Sequence, residues 1–554
     1  MKKLPVIWMW SRMRSRVPAL IGLVLMQAVH ALLCVLFALG SRGVIDEATS
    51  GDQQAFLRAC LMQAGVIGGI VLFSVLMRHL RDKLQADLDR DFKKHFLGQL
   101  LSGEYAAVSA YHSAELLNRM NQDVARVCDG VLTLLPNATA MVVRLAAAIA
   151  VMGVLDMRFT LLIAAVGLLV IAATAAMRKR LKTLNRRVSE QDGRVSACVQ
   201  EALENLLLIK AMDVSGEVEK RAEGLLDVRY DMQRKRKNVS LAAHAAVQVM
   251  AHGVGFAALC WCGYHVLLGS MTFGSLTAII QLVGQLRAPF VGLSGVLPQY
   301  TAMLASAERL MELDELGGDD LPATQDAKQL YAHMQSIAAQ DVTFAYDRDR
   351  VLKKVSFALE KGCFAVITGA SGEGKSTLLK LMMGIFSPEA GRMVLKMEGQ
   401  QEQELDRSAR RLFAYVPQGN MLFSGTVREN LLLAKPDATQ AELEEALRVG
   451  AVDAFLAELP MGLETMLGQG GAGLSEGQLQ RLAIARAVLS GAPILLLDEC
   501  TSALDEGTEQ QVLTALRGLH GRTCIAITHR PAALEMCDVQ LHVAEGSVCV
   551  KRIK

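Results

Sequence analysis

Thr368-Gly369-Ala370-Ser371-Gly372-Glu373-Gly374-Lys375-Ser376-Thr377 is the stretch whose residue types and spacing point most directly to chemistry. It sits between an apolar run, residues 363–367, and the helix-like Leu378-Leu379-Lys380-Leu381-Met382-Met383. Strand, glycine loop and helix in that order make a phosphate-binding loop. The glycines let successive backbone N–H groups curl around phosphate oxygens, and the helix that follows adds the positive end of its dipole. Lys375 supplies a compact positive charge for the β- and γ-phosphates, and the Ser376 hydroxyl suits Mg²⁺. The loop is read as a nucleotide site.

Further groups follow in an informative order. Tyr346, upstream of the loop, has a ring able to stack on a base, although taken alone it reads better as a core aromatic. Tyr415-Val416-Pro417-Gln418 places an amide just after a strand, and Leu474-Ser475-Glu476-Gly477-Gln478 opens a helix that runs to Leu489. Ile494-Leu495-Leu496-Leu497-Asp498-Glu499 ends an apolar strand in two carboxylates, and His529 follows another strand. A carboxylate at a strand end can polarise an attacking water, and a histidine can hold a γ-phosphate as charge develops on it.

The elements that must position these groups are strands near 336–346, 364–368, 494–497 and 523–528, interleaved with helical stretches. That pattern predicts an α/β domain with helices flanking a sheet. It begins near residue 330, after the turn-rich Gly317-Gly318-Asp319-Asp320-Leu321-Pro322.

The chain before that turn has a different character. Of the 554 residues 52% are hydrophobic, a surplus concentrated before about residue 300. Basic residues Lys2, Lys3, Arg12, Arg14 and Arg16 precede an apolar run, 17–40, that is too long for a signal peptide and reads as a first membrane span. Five more candidate spans follow at 57–77, 134–155, 159–177, 241–268 and 276–297, each close to the length that crosses a bilayer. Segments 78–129 and 178–240 are dense in Lys and Arg, carry helical periodicity and lack proline, whereas the opposite loops are short and poor in cations. This asymmetry puts the N-terminus, the two long helical hairpins and the α/β domain in the cytoplasm of a multi-pass membrane protein. A net charge of +2 gives no reason to expect a nucleic-acid partner. The eleven cysteines follow no framework spacing and read as reduced thiols, and Cys260-x-Cys262 has no second pair to complete a metal site.

Order and spacing of these motifs resemble the ATP-binding cassette (ABC) transporters, and six spans followed by one cassette is similar to their exporter-type half-transporters. Ser306-Ala307-Glu308-Arg309, leaving the sixth span, also resembles that family. The resemblance implies a six-helix transmembrane domain with long intracellular helices (1–313), a linker (314–333) and an α/β P-loop NTPase cassette domain (334–554). It implies ATP and Mg²⁺ as cofactors, with the whole loop Gly369, Ala370, Ser371, Gly372, Glu373, Gly374, Lys375, Ser376 and Thr377 around the phosphates. On the same grounds Tyr346 stacks on adenine, Gln418 couples the metal to the membrane domain, Asp498 supports Mg²⁺, Glu499 is the general base and His529 the switch histidine. Asp505 closes the D-loop Ser502-Ala503-Leu504-Asp505, while Ser475, Gly477 and Gln478 face the phosphate loop of a second cassette. One chain carries one of each motif, so the working unit is expected to be a dimer. A homodimer is favoured because no catalytic motif is missing, and a heterodimer stays open.

The implied activity is ATP-driven export of an amphipathic, small-molecule or peptide cargo, with a bacterial inner membrane as the expected location and lipid as a partner. An importer on the exporter fold, or an ATP-gated channel, are the alternatives. Three residues depart from the family pattern: Glu476 in place of a glycine, Gln469 in place of a glutamate, and Cys500 in place of an alanine. For Cys500 the readings are a small buried filler or a redox brake.

Cargo is addressed only by polar residues inside the spans. Gln27, His30, Arg144, His252 and Gln285 fall at mid-bilayer depth, and His244, Gln248 and His252 form one helical stripe. Helix–helix hydrogen bonding, or cytosolic exposure in a long hairpin, accounts for such groups better than a cavity does. Arg144 is the exception: a guanidinium stays charged and needs water, an anion or a carboxylate. It is expected to face a cavity beside His30, His252 and Gln285, the competing reading being that it snorkels toward a headgroup.

Overall fold

The computed structural model describes residues 4–316, 326–346, 349–419, 422–519 and 521–553, and omits the side chains of 168–180, 247, 251, 287–295, 297 and 400. The Gly/Asp turn at 317–322 lies outside the described residues. The chain divides into two compact units: Met1–Gln99 with His112–Glu315, and Leu100–Tyr111 with Leu316–Lys554.

Long helices make the first unit: Val17–Ser50, Gln53–Ser102, Val124–Leu155, Met157–Glu204, Ser215–Leu267 and Phe273–Asp314. At 1.5 Å per residue even the 32-residue helix Val124–Leu155 is about 48 Å long, more than the ~30 Å of a hydrocarbon core. Among the described residues four helices are long and apolar enough to cross a membrane, and the apolar stretches Met157–Gly167 and Phe273–Leu286 begin two more. Of the expected span 159–177, within the helix Met157–Glu204, the side chains are described only as far as Gly167.

Carboxylates pin these helices at both ends. Asp46 accepts from the Gly274 N–H at 3.0 Å and the Thr272 hydroxyl at 3.2 Å. Position 274 must be glycine, because a Cβ there would lie 2.4 Å from the Arg42 carbonyl oxygen. Asp156 caps Met157–Glu204 by accepting from the Phe159 N–H and takes the Trp261 indole N–H at 2.8 Å. At the other end Asp123 is buried and accepts from the Ser306 hydroxyl at 2.9 Å and Arg309 Nε at 2.8 Å. It closes a π-helical turn, Arg119–Asp123, that bulges the entry to Val124–Leu155. Asp314, the last residue of its helix, gathers the Trp8 indole N–H at 2.8 Å, His95 Nε2 at 2.6 Å and the Arg12 guanidinium.

The second unit holds a six-stranded sheet and a four-stranded one. The larger runs, edge to edge, Ser547–Arg552, Val539–Ala544, Phe364–Thr368, Thr523–Ile527, Ile494–Asp498, Phe413–Val416; all are parallel except the first. Strands buried on both faces need apolar residues at every position, which is why 364–367 and 494–497 are unbroken runs. Alternate residues divide between two cores: Phe364 and Val366 pack into one, Ala365 and Ile367 into the other. The smaller sheet is antiparallel, in the order Asp349–Glu360, Met334–Tyr346, Ala390–Met397, Glu402–Glu404.

Candidate nucleotide site

Parallel strands deliver their C-terminal ends to one edge of the sheet, and the chemistry-bearing residues are collected there. Phe364–Thr368 runs into the glycine loop, and the helix Lys375–Met382 begins at its end. Two glycines are fixed by sterics: Gly369 (φ +146°) leaves room for the Val543 carbonyl, 2.2 Å from where a Cβ would sit, and Gly374 (φ +95°) passes 2.5 Å from Val351 on the same criterion. Gly372 (φ +88°) has open space beside it, so its constraint is the left-handed backbone alone. Together these conformations make a loop of inward-turned N–H groups.

Lys375 is buried, and its ammonium donates to the Gly369 and Ala370 carbonyls at 2.8 and 2.7 Å. A buried cation held by carbonyl oxygens is completed by an anion, so the cradle fits a polyphosphate. The Ser376 hydroxyl donates to Asp498 Oδ1 at 3.2 Å, and the Tyr415 phenol donates to Asp498 Oδ2 at 3.0 Å. Burial, reinforced by that carboxylate, pushes the Tyr415 phenol well above its usual value, which keeps it a donor. No cluster of three or more His, Cys, Asp or Glu able to hold a metal exists among the described residues. Mg²⁺ does not need one: an all-oxygen pair such as Ser376 and Asp498, completed by phosphate and water, matches its habit.

Glu499 follows Asp498 in the left-handed region (φ +50°), an uncommon conformation for a side-chain-bearing residue, and its N–H donates to the Ile527 carbonyl at 3.0 Å. Its carboxylate accepts from Gln418 Nε2 at 2.7 Å, so two residues chosen on separate motifs meet. His529 is exposed just beyond Thr523–Ile527. Tyr346 is 42% exposed; its hydroxyl lies 3.2 Å from the Thr377 hydroxyl and its ring meets the edges of Phe344 and Phe386.

Ser475 caps the helix Glu476–Leu489 in a reciprocal box with Gln478. Gly477 has a steric reason of its own, since a Cβ there would be 2.8 Å from the Ala503 carbonyl oxygen. Asp505 caps Glu506–Arg517 through the Thr508 N–H, which holds its carboxyl below the usual carboxylate range. Cys500 is buried, and burial pushes its thiol up to about 12, which favours the filler over the redox brake.

Several participants are visible only in the fold. Gln480 donates to the Ser502 hydroxyl at 3.0 Å and accepts from the Ala503 N–H, while Arg530 donates to the Ser502 carbonyl at 2.6 Å. These bonds tie the helix after Ser475, the loop 502–505 and the residue after His529 into one network. Tyr105, in the short helix Tyr105–Ser109 of the same unit, meets the edge of Phe386 at 5.8 Å, and Glu104 pairs with Arg407 at 3.0 Å. Phe386 in turn touches Tyr346.

In the membrane unit, Gln285 Nε2 donates to the Cys34 carbonyl at 2.6 Å and Arg144 Nη2 lies 3.9 Å from Cys34 Sγ. His252 is exposed on the helix Ser215–Leu267 of the single chain. Gln248 and His244 do pair, at 3.3 Å.

Comparison with known proteins finds matches to both halves of the chain. Residues 352–502 match the model of the ABC transporter family and residues 19–290 that of the ABC transporter transmembrane region. An "ATM1-type heavy metal exporter" of Novosphingobium aromaticivorans is 28% identical over 562 residues, covering 98% of this chain and 90% of the relative. An "ATP-dependent lipid A-core flippase" of Syntrophus aciditrophicus is 26% identical over 486 residues, covering 87% and 80%. Among solved structures, a bacterial Atm1-family ABC exporter with ATP bound superposes with a TM-score of 0.78 at 25% identity, covering 97% of this chain and 94% of that one.

Proposed function

We propose that this chain, which belongs to the ABC transporters and couples ATP hydrolysis to export across a membrane, works as two identical copies whose cassettes complete each other's nucleotide sites. The half-transporter fold implies a dimer; that the copies are identical is supported by the intact Lys375, Ser475, Glu499 and His529 in one chain. We place both cassettes and the N-terminus in the cytoplasm, supported by the basic segments 78–129 and 178–240, and the protein in a bacterial inner membrane. The cargo we assign is amphipathic, a small molecule or a peptide.

In this reading the N–H groups of the loop 369–376 and the Lys375 ammonium bind the β- and γ-phosphates, and Tyr346 stacks on adenine. Ser376, Asp498 and Gln418 would hold Mg²⁺, which when bound draws charge from the phosphate oxygens. Glu499 accepts a proton from the attacking water, with Gln418 orienting the carboxylate, and His529 donates to the γ-phosphate as charge builds there. Ser475 and the Gly477 N–H supply a second helix N-terminus to the γ-phosphate of the partner copy.

The observation that carries the reading is the 2.7 Å contact of Gln418 with Glu499, next to Asp498 holding Ser376. Glu499→Gln in the full chain, expressed alone, is expected to bind ATP at parental affinity and hydrolyse it at least about 100-fold more slowly. Turnover at the parental rate would remove Glu499 as the base. ATPase activity of the parent only when a different chain is co-expressed would replace the homodimer with a heterodimer.

A further inference from the structure

We propose that His30, Cys34, Arg144 and Gln285 form a cargo site that takes an acid group, carboxylate or phosphate, of an amphipathic molecule; this rests on the export reading above. The four residues come from three helices that pack on one another, Val17–Ser50, Val124–Leu155 and Phe273–Asp314. Cys34 is the shared point. Its carbonyl accepts from Gln285 Nε2 at 2.6 Å, and its Sγ lies 3.9 Å from Arg144 Nη2. His30 is one helical turn before Cys34 on the same helix.

The polar bookkeeping of the cluster is incomplete in one direction. Among the described residues Arg144 Nε and His30 Nδ1 are buried without hydrogen-bond partners, as is Gln285 Oε1. Among the described residues Arg144 pairs with no carboxylate, and a thiol sulfur at 3.9 Å is a weak acceptor. A guanidinium cannot shed its charge, so at this depth it requires an acceptor from outside the protein. The imidazole and the Gln285 amide are both capable of adding hydrogen bonds to the same anion. A carboxylate or phosphate satisfies the fork of Arg144 as a bidentate acceptor. The apolar residues around the cluster in turn suit the hydrocarbon part of an amphiphile: Val35, Leu282 and Leu286 are buried beside it in sequence.

Cys34 makes the idea testable without transport. The full-length protein in phosphatidylcholine nanodiscs is treated with anionic sulfonatoethyl or cationic trimethylammonioethyl methanethiosulfonate, and modification of each cysteine is followed by peptide mass spectrometry. The anionic-to-cationic rate ratio at Cys34 is expected to fall about tenfold in Arg144→Gln and to be largely retained in Arg144→Lys. Cys549, exposed in the other unit, serves as an internal reference whose ratio stays constant. An undecanoic acid carrying a dansyl group is expected to slow Cys34 labelling about fivefold in the parent, and its methyl ester is expected not to, for want of the charge-assisted bond. If phosphatidylglycerol nanodiscs alone give that protection, the acid group is a lipid headgroup; if only the added acid does, it is a soluble amphiphile. A ratio unmoved by Arg144→Gln, equal protection by acid and ester, or a Cys34 inert to both reagents while Cys549 reacts would each overturn the site. Because labelling reports occupancy and not turnover, failure here leaves the ATPase assignment standing, and failure of Glu499→Gln leaves this one.

Discussion

The cassette unit and the membrane unit handle polar groups in opposite ways. In the cassette, loops at the ends of parallel strands gather Lys375, Ser376, Gln418, Asp498 and Glu499, and each side chain hydrogen-bonds within the unit. In the membrane unit His30, Arg144 and Gln285 are single residues on separate helices, and each leaves a buried atom unpartnered among the described residues. The comparison sets a backbone-built phosphate cradle beside the proposed cargo site. A phosphate cradle is made of backbone, so it forces glycines at fixed spacing and prints itself in the sequence. A cargo site made of side chains in lipid needs only that three helices rotate the right faces together, and no local rule fixes that in advance.

The strongest way to break this contrast is Lys375→Ala. If the cradle depends on the buried ammonium as argued, affinity for a fluorescent ATP analogue should fall by about 10²–10³-fold, a loss appropriate to removing a buried charge from its anion. Unchanged affinity would mean that the nucleotide is held elsewhere and that the cassette is no better pre-formed than the membrane unit.

A smaller effect is expected where the membrane unit is fully paired. Asp123→Asn removes the charge that Ser306 and Arg309 share, at a carboxylate only 1% exposed. The loss should be about 2 kcal/mol, seen as a lower thermal midpoint in detergent, with nucleotide affinity unaltered. An unchanged midpoint would show that the π-turned entry to Val124–Leu155 is held by packing and not by this latch.

Smallest of all is Cys500→Ala. The thiol is buried and its pKa is raised, so N-ethylmaleimide should leave it unmodified in the native protein, and the substitution should change ATPase activity by less than about twofold. Rapid alkylation of Cys500 with loss of activity would revive the redox reading and give the cassette a reactive group that its motifs do not announce.

The cassette was legible where local physics dictates residue types. Apolar runs at 364–367 and 494–497 read as buried strands because parallel strands are covered on both faces, and they occur as Phe364–Thr368 and Ile494–Asp498. The helix after Ser475 was legible because a capping hydroxyl and an amide three residues on are required together. The partners supplied by distant chain segments were not legible. Tyr415 on Asp498, Gln480 and Arg530 on the loop 502–505, and Tyr105 on Phe386 have no spacing rule, since each contact joins residues far apart in sequence.

By itself, then, the sequence determined the chemistry of the nucleotide site, the presence of apolar helices and the kind of transporter this is, because backbone-built sites and bilayer-crossing segments constrain composition locally. Only the tertiary structure decided which polar residues within the apolar helices come together. Gln285 and Arg144 both reach Cys34, one helical turn after His30, and His252 is exposed in the single chain. Helical phase turns about 100° per residue, so a small difference in where a long helix is gripped decides whether a side chain meets its neighbours or faces away. That grip is set by tertiary contacts such as Asp46 on Gly274 and Asp123 on Arg309, which no stretch of sequence contains.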